Sequence, residues 1–595
     1  MTSTHGRLRR TPDSVDGGDV SLPAAVARWA RTQGDKRAVA FVDHRVDPEG
    51  EVTELTWGEL DARVDAVAAW CQKRAARGAR AAVLVEQGTD YVVAFLGVLR
   101  AGLVAVPLFE PNPLPGHTDR LAAVLADCAP ELVLTTSAHA DAVESFLRER
   151  ELAGPELGSV DVVATSGTGA GAEPVDLRAE DVAYLQYTSG STRTPAGVVI
   201  THGNVVANAA QGYEAYECEQ GETTSVCWLP LFHDMGLVVG LATPVLGGFT
   251  ALLMDPIAFV LRPQRWLEEI AGVEGPVVSA APNFAYGYVA SRMTAEERAG
   301  LRLDHVVSLG DGSEPVMSKT LDTFYATFAD NGLDRRVHRH TYGLAEAVVM
   351  VSVSPAGRAP REVTLDRVSL AAGRAVHAEQ GTTLVSAGQG AGGQFVRIAD
   401  PATGVALPEG HVGEIWSSGP NVGQGYWGKD DSHEVFEATL TDADGTVVDP
   451  GWGRAGWLRT GDLGVLLDGD LFIAGRIKDL IIVDGTNHYP QDIEYTAEQA
   501  HPAIRRHTVG AFSVPGETGE LAVVVAERAK QFTADDLDHA EVAAAVKSAV
   551  SGAHALAIHD VVILGPGEVP RTSSGKIQRS ACRARYAEGT LRAGS

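Results

Sequence analysis

The chain has 595 residues, 45% hydrophobic and 21% charged, which is enough to bury a large core and excludes a disordered or fibrous protein. A formal net charge of −28 repels polyanions and argues against nonspecific nucleic-acid binding, so any anionic ligand has to be met by local groups. The five cysteines (Cys71, Cys128, Cys218, Cys227, Cys582) are scattered, with no CxxC pair and no histidine at metal-ligand spacing, which predicts reduced thiols in a cytoplasmic protein.

The first twenty residues carry basic side chains without an apolar run behind them and do not read as a secretory signal. Beyond Leu22 helical periodicity alternates with short apolar runs. The pattern predicts a helix over Ala62–Ala76, a strand over Ala81–Glu86, a helix over Tyr91–Ala101 and a strand over Leu103–Phe109. That rhythm argues for βαβ units and a parallel sheet, and it recurs from Leu185 to Leu309. SGTGAGAEP, from Ser166 to Pro174, reads as a connector. The apolar span Leu237 to Met254 contains Pro244 and three glycines, so a buried helix, turn and strand explain it better than a membrane crossing. GQGAGG, Gly388 to Gly393, matches GxGxxG in form but precedes the strand-like QFVRIAD rather than a helix, and reads as a surface turn. From about Arg476 a second βαβ-like pattern begins, with strands near Val509–Val514 and Leu521–Glu527 and a helix near Asp535–Ser551. The prediction is an α/β fold: a large domain over 1–476 with parallel-rich sheets flanked by helices, and a small C-terminal α+β domain over 477–595.

Chemistry enters at Tyr187–Gly197, YTSGSTRTPAG, between the apolar Val182–Leu185 and the strand-like Val198–Ile200. Small hydroxyl residues and glycine on such a loop leave backbone N–H groups and hydroxyls available to phosphate oxygens. It is not a Walker A loop, since no GxxxxGK[ST] occurs. Six further segments follow in order: WLPLFHDMGL (Trp228–Leu237), SLGDGSEPV (Ser308–Val316), TYGLAE (Thr341–Glu346), WLRTGDLG (Trp457–Gly464), GRIKDL (Gly475–Leu480) and PRTSSGKIQR (Pro570–Arg579). The ordered set resembles the core motifs of the adenylate-forming superfamily over nearly the whole chain, from about Leu22 to Arg585.

The resemblance implies ATP and Mg²⁺ as cofactors and assigns roles. Thr188, Ser189, Gly190, Ser191 and Thr192 would hold the β- and γ-phosphates, and Glu346 the magnesium ion. Asp462 would accept hydrogen bonds from both ribose hydroxyls, which suits an acceptor-only carboxylate, with Arg476 helping. Tyr342 would offer an aromatic face to adenine, framed by Gly312, Ser313, Gly343, Leu344 and Ala345. Lys576, one of only 8 lysines among 49 basic residues, would bridge the substrate carboxylate and the α-phosphate. His233 would sit at the mouth of the acyl pocket in a positioning role. Neighbouring side chains are expected to point apart, so His233 followed by Asp234 implies no Ser-His-Asp triad. Lys478 and Asp479 mark the superfamily's hinge, which would make the small domain mobile and let Lys576 leave the site for a thiol acceptor.

Two departures from the general pattern remove phosphate-contacting groups: PAG with Ala196 where PKG is usual, and Ala345 where threonine is usual. Both forms, together with APNFAY (Ala281–Tyr286), NVGQGYW (Asn421–Trp427), NHYPQDIE (Asn487–Glu494) and extra residues at about 351–380, resemble the fatty acyl-AMP ligases of the actinobacterial kind. In that family the insertion hinders the rotation that coenzyme A needs. The resemblance therefore implies a fatty acid substrate and a carrier protein or polyketide synthase carrier domain as acyl acceptor. It implies no nucleic acid and no integral membrane segment, and a monomer suffices. Phe284 and Tyr286, with the apolar run after His233, are candidates to line an acyl tunnel, although a tunnel wall and plain core read alike. Five basic residues and no acid between Arg571 and Tyr586 suggest either a docking face for an acidic carrier or a solvated helix face. The competing readings are an acyl-CoA ligase and a catalytically silent acyl-adenylate-binding protein.

Overall fold

The computed structural model describes residues 19–111, 117–152, 154–165, 171–187, 195–483, 486–516, 519–533, 537–571 and 576–591. Two large sheets dominate it. A nine-stranded sheet runs, edge to edge, Gln389–Gly390, Met350–Val353, His338–Gly343, Val306–Gly312, Val277–Pro282, Thr224–Cys227, Thr250–Met254, Arg37–Asp43 and Glu51–Thr56. The six strands from His338–Gly343 to Arg37–Asp43 are mutually parallel. The six-stranded sheet, ordered Glu156–Ser159, Leu132–Thr135, Arg80–Val83, Val104–Pro107, Val182–Tyr187, Gly197–Thr201, is parallel except at its last pair. The predicted βαβ organisation is therefore present.

Helix Trp57–Gln72 begins five residues before its predicted start because Thr56 and Glu59 close a capping box, each side chain bonded to the other's backbone N–H. Leu60, Val64, Val67, Ala68 and Cys71 recur at helical spacing and are buried against helix Thr89–Arg100. The two helices approach closely at Gly97, where a Cβ would lie 2.6 Å from a Val67 methyl. Burying each Val or Leu of this stripe contributes about 1.5–3 kcal/mol. The span 237–254 resolves into a π-turn at Val238–Ala242, a helix at Thr243–Gly247, a left-handed Gly248 with φ 68° and the strand Thr250–Met254. Among the described residues no helix is long and apolar enough to cross a membrane.

A four-stranded antiparallel sheet (Phe395–Ala399, Gly413–Ser418, Leu458–Leu467, Asp470–Arg476) completes the larger part of the chain. From Ile481 on the chain forms its own three-stranded sheet, with Gly510–Pro515 antiparallel to Glu520–Glu527 and the latter parallel to Ile558–Leu564. Alternation along the middle strand builds two small cores, one with Ala522, Val524 and Ala526, the other with Val523 and Val525. The extra residues at 351–380 contribute the strand Glu362–Leu365 and the helix Arg367–Ala371. They sit where the two parts meet: Tyr489 Oη donates to the Leu370 carbonyl at 3.4 Å and Asn487 Nδ2 to that of Ala371 at 3.3 Å, while Thr382 Oγ1 donates to Asp492 at 2.8 Å.

One peripheral pair gives a pH test of the fold. Burial, reinforced by the neighbouring Glu268 charge, pushes Glu269 up to about 7, and His44 Nε2 stands 3.6 Å from it. The folded protein therefore keeps a proton that the unfolded chain releases at lower pH, so stability falls as pH rises through that window. Glu269→Gln should show a melting-temperature advantage over wild type that widens from pH 5 to pH 8, and a constant difference would refute this.

Candidate active site

Four parallel strands, Thr224–Cys227, Val277–Pro282, Val306–Gly312 and His338–Gly343, end on one side of the nine-stranded sheet, and the segments after them carry His233, Phe284, Ser313 and Glu346. The carboxyl ends of parallel strands are where open α/β sheets bind ligands. Gly312 closes its strand where only glycine fits, since a Cβ would meet the Thr341 carbonyl at 2.5 Å. Ser313 follows in the left-handed region, φ 66°, with Oγ 3.4 Å from Met235 Sδ. Gly343 is more constrained still, because a Cβ there would fall 1.4 Å from the Val349 carbonyl. Leu344 is the extended residue before the 3₁₀ turn Ala345–Ala347, and Ala345 is buried in that turn.

Asp462 and Arg476 face each other in register on the antiparallel strands Leu458–Leu467 and Asp470–Arg476, with Nε 2.9 Å from Oδ1. Tyr342 Oη donates to the other oxygen at 2.8 Å, so its ring stands beside the carboxylate and its hydroxyl is engaged. Glu346 receives a 2.7 Å hydrogen bond from Tyr426 Oη. Burial raises the Glu346 carboxyl above the usual range, against the lowering effects of that hydrogen bond and of Arg476.

Lys576 reaches this cleft from the far end of the chain. Burial lowers its ammonium below the ordinary lysine value, while Asp234 and Glu314 oppose the shift, with Asp462 acting more weakly in the same sense. Burial also opposes ionisation of Asp234, but the His233 ring and then Lys576 outweigh it and hold that carboxyl below the usual range. Glu314 is raised by burial and accepts a 2.6 Å hydrogen bond from the Phe284 N–H. Asp234 and Glu314 were not singled out in the sequence, although both lie in quoted motifs; the signal was an acid embedded in an apolar, glycine-rich segment.

Two expectations are corrected by the geometry. His233 and Asp234 do not point apart: Nδ1 and Oδ1 lie 2.7 Å from each other because both side chains turn onto the Met235 N–H at the start of the short helix Asp234–Leu237. Tyr286 does not face an open wall. Its ring is fully buried edge-on to Trp266, Phe324 and His338, and its hydroxyl donates to the Gly310 carbonyl at 2.6 Å. Phe284 is partly buried against the main core. The basic run near the C-terminus is also less of a free face than its composition suggests. Arg579 makes a bidentate pair with Glu494 at 2.6 Å and reaches Asp479 at 3.3 Å, and Arg571 donates to the His507 carbonyl. Thr188, Ser189, Gly190, Ser191 and Thr192 lie outside the described residues.

A lysine within electrostatic reach of two partly buried carboxylates, a carboxylate on facing strands beside an aromatic ring, and a partly buried glutamate after a glycine-locked turn are the kinds of group that an acid-activating, adenylate-forming ligase uses. The AMP-binding enzyme family matches residues 26–427, and the Disco-interacting protein 2-like AMP domain matches residues 478–595. The chain is 42% identical to long-chain-fatty-acid–AMP ligase FadD32 of Mycolicibacterium smegmatis over 96% of this chain and 95% of that protein. It is 43% identical to 4-hydroxyphenylalkanoate adenylyltransferase of Mycobacterium marinum, over 95% and 91%. A solved structure from a study of fatty acyl-adenylate ligases of E. coli and L. pneumophila superposes with a TM-score of 0.84 at 32% identity, covering 96% of this chain and 98% of that one. The chain belongs to the AMP-binding enzymes, ATP-dependent ligases that adenylate carboxylic acids, in the branch that holds the fatty acyl-AMP ligases.

Proposed function

We propose that this protein adenylates a medium- to long-chain fatty acid and passes the acyl group to the phosphopantetheine thiol of a carrier protein. In the first step a carboxylate oxygen attacks the α-phosphorus of ATP and pyrophosphate leaves. In the second the thiol sulfur attacks the acyl carbonyl, AMP leaves and the thiol proton is lost. Nucleophile and electrophile are both anionic in the first step, so the site has to neutralise, align and exclude water. The reading is carried by one observation: Lys576, a hundred residues or more from the other site groups in sequence, lies within electrostatic reach of Asp234, Glu314, Arg476 and Asp462.

Lys576 is the catalytic cation, bridging the fatty carboxylate and the α-phosphate, and Asp234 and Glu314 hold it in the cleft before substrate arrives. Asp462 and Arg476 hold the ribose. Tyr342, Gly312, Ser313, Gly343, Leu344 and Ala345 frame the base. Thr188 to Thr192 hold the β- and γ-phosphates. His233 orients the acid head group at the mouth of the acyl cavity, and Phe284 contributes to its lining.

Glu346 fits a magnesium site: it is a partly buried, hard oxygen donor with no ion pair among the described residues, and desolvation leaves it short of stabilisation as an anion. Magnesium is commonly held by one or two carboxylates together with substrate phosphates, so Glu346 would need no cluster of further protein ligands. Magnesium when bound offsets triphosphate charge. We place the domain boundary after Arg476 and the hinge at Lys478 and Asp479. The contacts of Leu370, Ala371 and Thr382 with Tyr489, Asn487 and Asp492 favour retention of the adenylate over rotation for coenzyme A. One chain supplies every group named, so a monomer suffices.

The test is acid-dependent exchange of labelled pyrophosphate into ATP across a chain-length series that includes a 4-hydroxyphenylalkanoate, followed by challenge with coenzyme A or a holo carrier protein. Exchange peaking with long alkyl acids, and transfer to the carrier alone, is the expected result. Preference for the aryl acid would reassign the substrate, and rapid acyl-CoA formation would overturn the acceptor.

A further inference from the structure

Segment Asn421–Trp427 has no role in the chemistry above, yet it touches two parts of the site at once. Its backbone lies along the strand Gly197–Thr201, which follows the phosphate loop in the chain. Gln424 N donates to the Val199 carbonyl at 2.9 Å, Val199 N to that of Gly425 at 2.9 Å, and Trp427 N to that of Gly197 at 2.7 Å. Tyr426 sits opposite Val198 in this pairing.

The same segment grips the turn that carries Glu346. Gly423 N donates to the Glu346 carbonyl at 2.9 Å, and Asn421 Nδ2, fully buried, donates to the carbonyls of Ala347 and Met350, both at 2.8 Å. Between these anchors Val348, buried and β-branched, is held at φ 64° and ψ −65°, with Val349 N bonded to the Ala347 carbonyl. A side chain of that shape adopts such a turn only where its surroundings over-determine it. Among the described residues, the one side-chain hydrogen bond from the segment to a proposed site residue is that of Tyr426 Oη to Glu346, at 2.7 Å.

We infer that Tyr426 is a positioning residue that keeps the Glu346 carboxylate in register with the strand leaving the phosphate loop, and so sets where the magnesium-bearing triphosphate is held. The inference rests on Glu346 being the magnesium carboxylate. Tyr426→Phe removes only the hydroxyl and keeps the ring packed edge-on against Phe436, 5.1 Å away.

The experiment is calorimetric titration, without fatty acid, of wild type, Tyr426→Phe, Glu346→Gln and the double variant with ATP in excess magnesium and with ATP in EDTA, alongside melting temperatures and KM for fatty acid. Loss of a hydrogen bond to a charged group predicts roughly tenfold weaker binding of magnesium-ATP by Tyr426→Phe. Metal-free ATP affinity, melting temperature and the fatty acid KM should stay at wild-type values, and the double variant should be no weaker than Glu346→Gln alone. Unchanged magnesium-ATP binding by Tyr426→Phe, equal weakening with and without magnesium, or additive losses in the double variant would each overturn the inference while the role of Glu346 stands. If Glu346→Gln itself leaves the magnesium effect intact, both fail.

Discussion

Lys576→Ala should lower fatty-acid-dependent pyrophosphate exchange by about 10²–10³-fold, the usual loss when one preorganised donor to a developing anion is removed. The size follows from the site's charge balance. Two anions have to meet in a pocket where Asp234 and Glu314 already contribute negative charge near the reacting atoms, and Arg476 is engaged with Asp462. Removing the ammonium leaves the incoming carboxylate facing those acids alone. Lys576→Arg should not rescue, because a planar guanidinium cannot occupy the compact position of an ammonium among buried groups. Transfer from synthetic acyl-AMP to the carrier thiol should stay within about twofold of wild type, since lysine serves only the first step; in that assay the tenfold-per-1.4 kcal/mol scale makes a twofold change negligible. Exchange by Lys576→Ala at a wild-type rate would remove the central assignment.

The parallel rhythm was legible because buried strands between helices leave short apolar runs, and the small C-terminal sheet was legible for the same reason. The start of helix Trp57–Gln72 was not, because periodicity locates the middle of a helix while the Thr56 and Glu59 side chains fix its end. Contacts between distant residues were out of reach altogether. Tyr426 stood inside a motif quoted only for its family likeness, and its hydroxyl meets a carboxylate 80 positions away in the chain. Tyr286 shows the opposite failure: an aromatic after a proline-bounded strand fits a tunnel wall or a core equally well, and only the rings packed around it decide for the core. The closeness of His233 and Asp234 was missed because a helix start, unlike a strand, turns consecutive side chains onto one N–H.

Asp462→Asn should raise KM for ATP by about 10²-fold, with KM for the fatty acid unchanged. Each oxygen of this carboxylate already has one protein partner, Arg476 Nε at 2.9 Å on one side and Tyr342 Oη at 2.8 Å on the other, which fixes the plane of the group and leaves lone pairs for two ribose hydroxyls. A hydrogen bond to a charged group is worth about 1.5–3 kcal/mol, so weakening two accounts for the loss. The amide cannot reproduce the pattern, because its NH₂ either confronts the donor-only guanidinium or turns the Tyr342 hydroxyl round to accept, and in both cases only one oxygen is left to accept from the ribose. The Arg476 side chain is half exposed, so the ion pair itself adds little stability and the change should act on nucleotide affinity more than on folding. The decisive comparison uses 2′-deoxy- and 3′-deoxy-ATP. Wild type should lose affinity with each analogue, whereas Asp462→Asn should lose little more, since the partner of the missing hydroxyl has already gone. Fully additive penalties would mean that the ribose hydroxyls are held elsewhere and that Asp462 serves only to pin Tyr342 and Arg476.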